Sequence, residues 1–168
     1  MTISMYQISA PVFTKMLGAL SNVLDKGAAF AVAKKIDPAV LMASRLAPDM
    51  FPLTRQVQIA ADFAKGPMAR LAGLEVPKWE DNETTMEALK ARVAKTIDYV
   101  KSFKPAQIDG SEAREISLTI GGQPMTMTGQ EYLLHNALPN FYFHVTTAYT
   151  ILRHNGVEVG KRDFLGRT

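Results

Sequence analysis

Apolar residues recur at steps of three and four along almost the whole chain, and in one short stretch alone they alternate every second residue. That contrast limits the fold to packed amphipathic helices with one small piece of sheet. The first helical stretch runs from about Ser4 to Leu24, with Met5, Ile8, Val12, Met16, Ala19 and Val23 on its stripe. Pro11 marks a kink or a later start, and Gly27 interrupts. Asp37-Pro38 reads as an N-cap followed by proline at the first helical position, opening a short helix over Ala39 to Ser44. A second long helix begins between Pro48 and Pro52 and carries Leu53, Val57, Ala60, Ala64 and Leu71, with a bend or break predicted at Gly66-Pro67. Beyond a connector from Gly73 to Asn82, Thr84-x-x-Glu87 reads as a capping box. It opens a helix with Met86, Leu89, Val93, Ile97, Val100 and Phe103 on one seam, stopped by Pro105.

The exception lies between Ile116 and Thr128. Ile116, Leu118 and Ile120 alternate with polar residues, Gly121-Gly122 supplies a turn, and Met125 and Met127 alternate after it. This predicts a β-hairpin. Thr128-x-x-Glu131 is a second capping box, and the helix that it opens closes at Gly156. Pro139 lies within that helix and predicts a kink, because it cannot donate to the carbonyl of His135. Four amphipathic helices around a common core, all-α apart from the hairpin, form the economical architecture.

Composition narrows the function classes. A chain of 168 residues is expected to form a single domain, residues 1–168, large enough to bury a core without staples. With no cysteine there is no disulfide, thiolate zinc site or cysteine nucleophile. The 19 basic and 16 acidic residues are scattered, and no run of five Lys or Arg speaks for nucleic acid. The N-terminus lacks a signal peptide and no stretch is apolar enough to span a bilayer, so a cytoplasmic protein without membrane partners is expected. Phosphate-cradling glycine loops, nucleophile elbows and H-E-x-x-H are all absent from the sequence.

The candidate site residues lie on two helices. Projected at helical pitch, Leu133, Ala137, Asn140, Phe141, His144, Ala148 and Ile151 share a face, so an amide and an imidazole sit one turn apart on an apolar surface. His135 faces elsewhere and His154 sits in the last turn. On the second helix Gln58, Asp62 and Lys65 share a face, with Gln56 closer to the apolar stripe. Three readings compete. Buried polar groups need partners, so Asn140 and His144 can belong to a structural network. They can instead line a small-molecule pocket with Tyr142 or Tyr149, or His144 can ligate a metal. The metal reading is short of donors: a catalytic zinc or nickel usually has three imidazole or carboxylate ligands, and here Asp62 alone could join the one core-facing histidine.

The runs LPNFYFHVTTAYTILRHNGVEVGKRDFLG (Leu138 to Gly166) and LAPDMFPLTRQVQIAADFAK (Leu46 to Lys65) resemble an uncharacterised, mostly bacterial family of DinB-like proteins. The wider DinB/YfiT-like superfamily consists of four-helix bundles, often dimeric. Many members hold a divalent metal on three histidines, one from the second helix and an H-x-x-x-H pair from a later one, and relatives include thiol-dependent transferases and isomerases. The resemblance places His144 on the last of those histidines, Asn140 on the one before it and Gln58 on or near the first. It therefore implies a homodimer and a degenerate metal triad in which two of three ligands are amides. The leading expectation is a small-molecule-binding protein with a pocket at Gln58, Asp62, Asn140 and His144 and no firm cofactor. The alternatives are a divalent-metal-dependent (zinc or nickel) transferase or hydrolase of the DinB/YfiT type, and a structural or interaction dimer.

Overall fold

The structure is a computed structural model that describes residues 3–167. Four long helices form a ring. Helix α1 (Ala10–Lys34) packs on α4 (Met86–Lys101) and α7 (Leu138–His154), and α3 (Leu53–Leu71) packs on the same two. The short helices α2 (Pro38–Ala43), α5 (Pro105–Ile108) and α6 (Gly129–Glu131) lie in the connections, and α8 (Lys161–Phe164) follows α7. Strands β1 (Glu115–Ile120) and β2 (Gln123–Thr128) form an antiparallel hairpin just ahead of the last long helix. Among the described residues no helix is long and apolar enough to cross a membrane.

One apolar core is shared by all four long helices. Phe13, Leu17 and Leu24 come from α1, Leu53 and Met68 from α3, Leu89 and Val93 from α4, and Phe141 and Ile151 from α7. Phe13 meets Phe141 edge to face at 4.9 Å across the α1–α7 contact. Burial of each such large side chain contributes on the order of 1.5–3 kcal/mol. Their positions follow the sequence stripes, since each stripe is the strip of helix that turns away from water.

Several local expectations hold. Asp37 Oδ1 accepts from the Ala39 amide at 2.9 Å, with Pro38 in the first turn of α2. Gly121 and Gly122 both have positive φ, 56° and 81°, as a two-residue hairpin turn of type I′ demands. Thr128 and Glu131 close their capping box reciprocally. The alternation in β1 leaves Ile116 buried, while the side chain of Ile120 lies outside the described residues.

Other boundaries move. The first helix starts at Ala10, so Pro11 sits in its first turn, and it continues through Gly27 to Lys34. Gly27 is an approach point rather than a break, because a Cβ there would sit 3.0 Å from Leu152 on α7. Helix α3 likewise passes through Gly66-Pro67 and ends at Leu71. The cap of α4 is Thr85, which accepts from the Ala88 amide, so the Thr84–Glu87 capping box does not form. The kink expected at Pro139 takes the form of a π-helical segment, Tyr132–Ala137, where the Leu138 amide reaches back five residues to the Leu133 carbonyl. The chain end, Gly160–Gly166, returns to α1. Lys26 pairs with Asp163 at 2.6 Å, Gly166 abuts Ala19, and the Phe164 ring meets Tyr149.

Gly129 fastens the start of the last helix to the preceding loop. A Cβ there would overlap the Ser111 carbonyl oxygen, while the next amide, of Gln130, donates to the Glu112 carbonyl at 3.0 Å. Gly129→Ala is expected to cost about 1–3 kcal/mol through overpacking against backbone. Gly18→Ala, with open space around its Cβ in the middle of α1, should instead gain about 0.5–1 kcal/mol. Urea unfolding of the two variants checks both signs.

Candidate functional site

His144 is buried against α3, and its partner is Gln56 rather than Gln58. Its Nδ1 lies 2.7 Å from Gln56 Oε1. The Gln56 amide is oriented by its own Nε2, which donates to the Phe51 carbonyl at 3.1 Å. Oε1 therefore faces the ring as an acceptor, and Nδ1 must carry the proton and donate. Phe63 stacks on the imidazole at 5.9 Å and Phe143 meets it edge-on at 5.2 Å. Removal from water, reinforced by the positive charge of Arg55, pushes the His144 pKa down to about 4. The ring is thus neutral near pH 7, with only Nε2 left as a lone-pair donor.

Gln58 belongs to a different cluster. Its Nε2 donates to Glu83 at 2.8 Å and its Oε1 accepts from Arg55 at 3.3 Å. At the centre of this cluster is Arg92 of α4, whose guanidinium is buried. Arg92 pairs with Glu83 at 2.9 Å, Asp81 at 2.8 Å and Asp62 at 3.4 Å, and donates to the Glu80 carbonyl at 3.0 Å. Burial alone would raise the Glu83 pKa, but hydrogen bonds from Arg92 and Gln58 outweigh it and hold the carboxyl below the ordinary range. The cluster clamps the connector between α3 and α4 onto the bundle. Trp79 on that connector is sandwiched between Lys65 and Lys95, whose ammonium groups lie 4.5 and 4.3 Å from the ring centroid.

The other two sequence candidates, Asp62 and Asn140, line a groove of about 760 Å³ that neither Gln58 nor His144 reaches. Its walls are α3, the π-helical segment with the start of α7, the connector around Trp79, and the hairpin. Asn140 does not meet His144. Its Nδ2 donates to the Asn136 carbonyl at 2.8 Å, one turn back along its own helix. Tyr142 and Tyr149 lie outside the groove. Sequence reasoning missed three residues inside it: Arg70, Tyr132 and Asn136. Arg70 follows Asp62 by eight residues, two turns on, and Asn136 precedes Asn140 by four, so a search for polar residues at helical spacing from Asp62 and Asn140 would have reached both.

The residues at the superfamily's metal position do not fit a divalent ion. Among the described residues no three His, Asp, Glu or Cys side chains come together as a ligand set. Gln58 and Asn140 are neutral amides already hydrogen-bonded within the protein. Moreover the Arg55 charge that depresses the His144 pKa would equally repel a cation beside that ring.

Residues 5–165 match the family described as a domain of unknown function, DUF1993. A crystal structure of a DinB family member protein from Shewanella denitrificans is similar with a TM-score of 0.88 and 47% identity. The match covers 97% of this chain and 92% of that one. No curated protein matches the chain.

The His144 environment makes a pH prediction. A histidine that binds its proton near pH 6.5 when unfolded, but only near 4 when folded, leaves the unfolded state holding more protons between those values. Stability is therefore lost as pH falls through that window, by up to about 3 kcal/mol from this group. His144→Phe should unfold more easily at neutral pH, because Gln56 loses its donor, yet show a shallower loss between pH 7 and 5. Parallel urea titrations at several pH values read the difference, and identical slopes for the two proteins would contradict it.

Proposed function

The chain belongs to the DUF1993 family of DinB-like proteins, and we propose that it binds a small organic molecule in the groove lined by Asp62, Asn136 and Asn140. The observation that carries the reading is the groove itself. Its volume of about 760 Å³ lies within the range of small-molecule sites, and partly buried polar side chains line it among apolar ones. Lys65 and Asp62 pair at 2.8 Å on its wall, and the chain's single tryptophan stands beside them as a built-in reporter. In this reading His144 and Gln58 are supports. His144 holds α7 on α3 through Gln56, and Gln58 helps to hold the connector that forms one wall.

A ligand that raises the melting temperature should also change Trp79 fluorescence, and Asn140→Phe, which fills the groove from α7, should abolish both responses while the fold persists by circular dichroism. Ligands that stabilise wild type and Asn140→Phe equally would remove the groove from consideration.

One observation favours a second role, assembly as a homodimer. Phe51, in the loop just before α3, and Phe143, on α7, are 54% and 55% exposed, and both touch the Gln56–His144 pair, Phe51 through its carbonyl and Phe143 through its ring. Aromatic side chains so exposed are typical of surfaces that another protein covers. Sedimentation of wild type should give a dimer that Phe143→Ser shifts toward monomer, whereas an unshifted distribution would assign the contact elsewhere.

A further inference from the structure

Among the cations of the groove, Arg70 stands apart. Lys65 is neutralised by Asp62, and Arg92 is shared among three carboxylates. Arg70 is half-buried, lines the groove, and among the described residues has no carboxylate within ion-pair distance. Its Nη1 donates to the Tyr132 hydroxyl at 3.0 Å, and its guanidinium lies 5.8 Å from that ring. This posture depends on Gly66. A Cβ at Gly66 would sit 2.6 Å from Arg70 Nη1, so glycine leaves the space across α3 that the guanidinium occupies. A partly desolvated guanidinium held in place without a counter-charge is suited to a planar anion, which it binds through two parallel hydrogen bonds. Asn136 and Asn140 line the same groove, joined by the Asn140 side chain donating to the Asn136 carbonyl. Phe63, Val76 and Leu118 add apolar wall between the polar groups.

We infer that the groove selects a small monocarboxylate that carries an apolar body, its carboxylate on Arg70. The inference rests on the groove reading above and adds the chemical class to it. One half-buried cation without a counter-charge matches one negative charge. A phosphate monoester, nearly dianionic at neutral pH, would lack a second interior cation, since Lys65 is already paired and Lys78 is exposed.

Four compounds that share a phenyl group separate the possibilities: N-acetyl-L-phenylalanine, its neutral amide, phenyl phosphate and phenethylamine, each titrated against Trp79 fluorescence. The acid should bind more tightly than the amide by about ten- to a hundredfold, the worth of a hydrogen-bonded charge, and more tightly than the phosphate. Arg70→Gln should remove that preference and leave amide binding unchanged. Gly66→Ala keeps the arginine and favours helix, yet displaces the guanidinium, so it should weaken the acid selectively even if Arg70→Gln folds poorly. Binding of the amide or amine as tight as that of the acid, or acid binding indifferent to both variants, would overturn the carboxylate assignment and leave the groove standing. A stronger response to phenyl phosphate would overturn the monoanion. Silence from all four compounds would sink the groove reading and this inference together.

Discussion

A guanidinium buried in a helix bundle must be surrounded by carboxylates, and Arg92 imposes that condition on the structure around the groove. Its partners come from two places, Asp62 on α3 and Asp81 with Glu83 on the connector. Satisfying one cation therefore fixes the path of a chain segment that has no regular secondary structure between Leu71 and Met86. Breaking such a cluster from one side leaves unpaired buried charge, which is far more costly than an exposed ion pair is worth. With the connector pinned, Trp79 comes to rest between Lys65 and Lys95, and the groove acquires its outer wall.

The opposite wall depends on a backbone irregularity. In the π-helical segment the widened turn changes the phase of the helix before α7 begins. Tyr132, Asn136 and Asn140 all come to line the groove across that change, while His144, one turn further on, faces Gln56 and the aromatic rings. Two environments result on one helix. The first is partly open and lined by polar side chains together with apolar ones. The second is closed and aromatic, and keeps its imidazole neutral. A ligand site fits the first, and a structural histidine fits the second.

Much of the architecture was legible in the residues. The stripes of α3 and α4, the Asp37 cap with Pro38, the hairpin with its two glycines, the Thr128–Glu131 box and the stop at Gly156 all rest on interactions within a few positions of one another. The glycine at position 27 misled, because its role is set by Leu152 on another helix. Gly66 misled for a different reason, since its open space is filled by the Arg70 side chain one turn on in the same helix. The residues alone left open which of Gln56 and Gln58 turns inward, and the resemblance put Gln58 at the site; the apolar stripe beside Gln56 was the better guide to the partner of His144. Arg92 escaped notice although it follows Leu89 by three and precedes Val93 on the seam, a position where a charge calls for buried partners.

By itself, then, the sequence determined the helices, their caps, the hairpin and the four-helix class, because apolar period, capping and turn chemistry act between near neighbours and survive without tertiary context. The tertiary structure alone decided which polar side chains meet. His144 finds a glutamine 88 positions away, Arg92 finds acids on a helix and a connector, and Arg70 lines the groove against the Tyr132 hydroxyl. Those pairings depend on the phase of one helix against the next and on the course of an irregular segment. Both are settled by packing and charge burial across the whole bundle, and no local pattern encodes them.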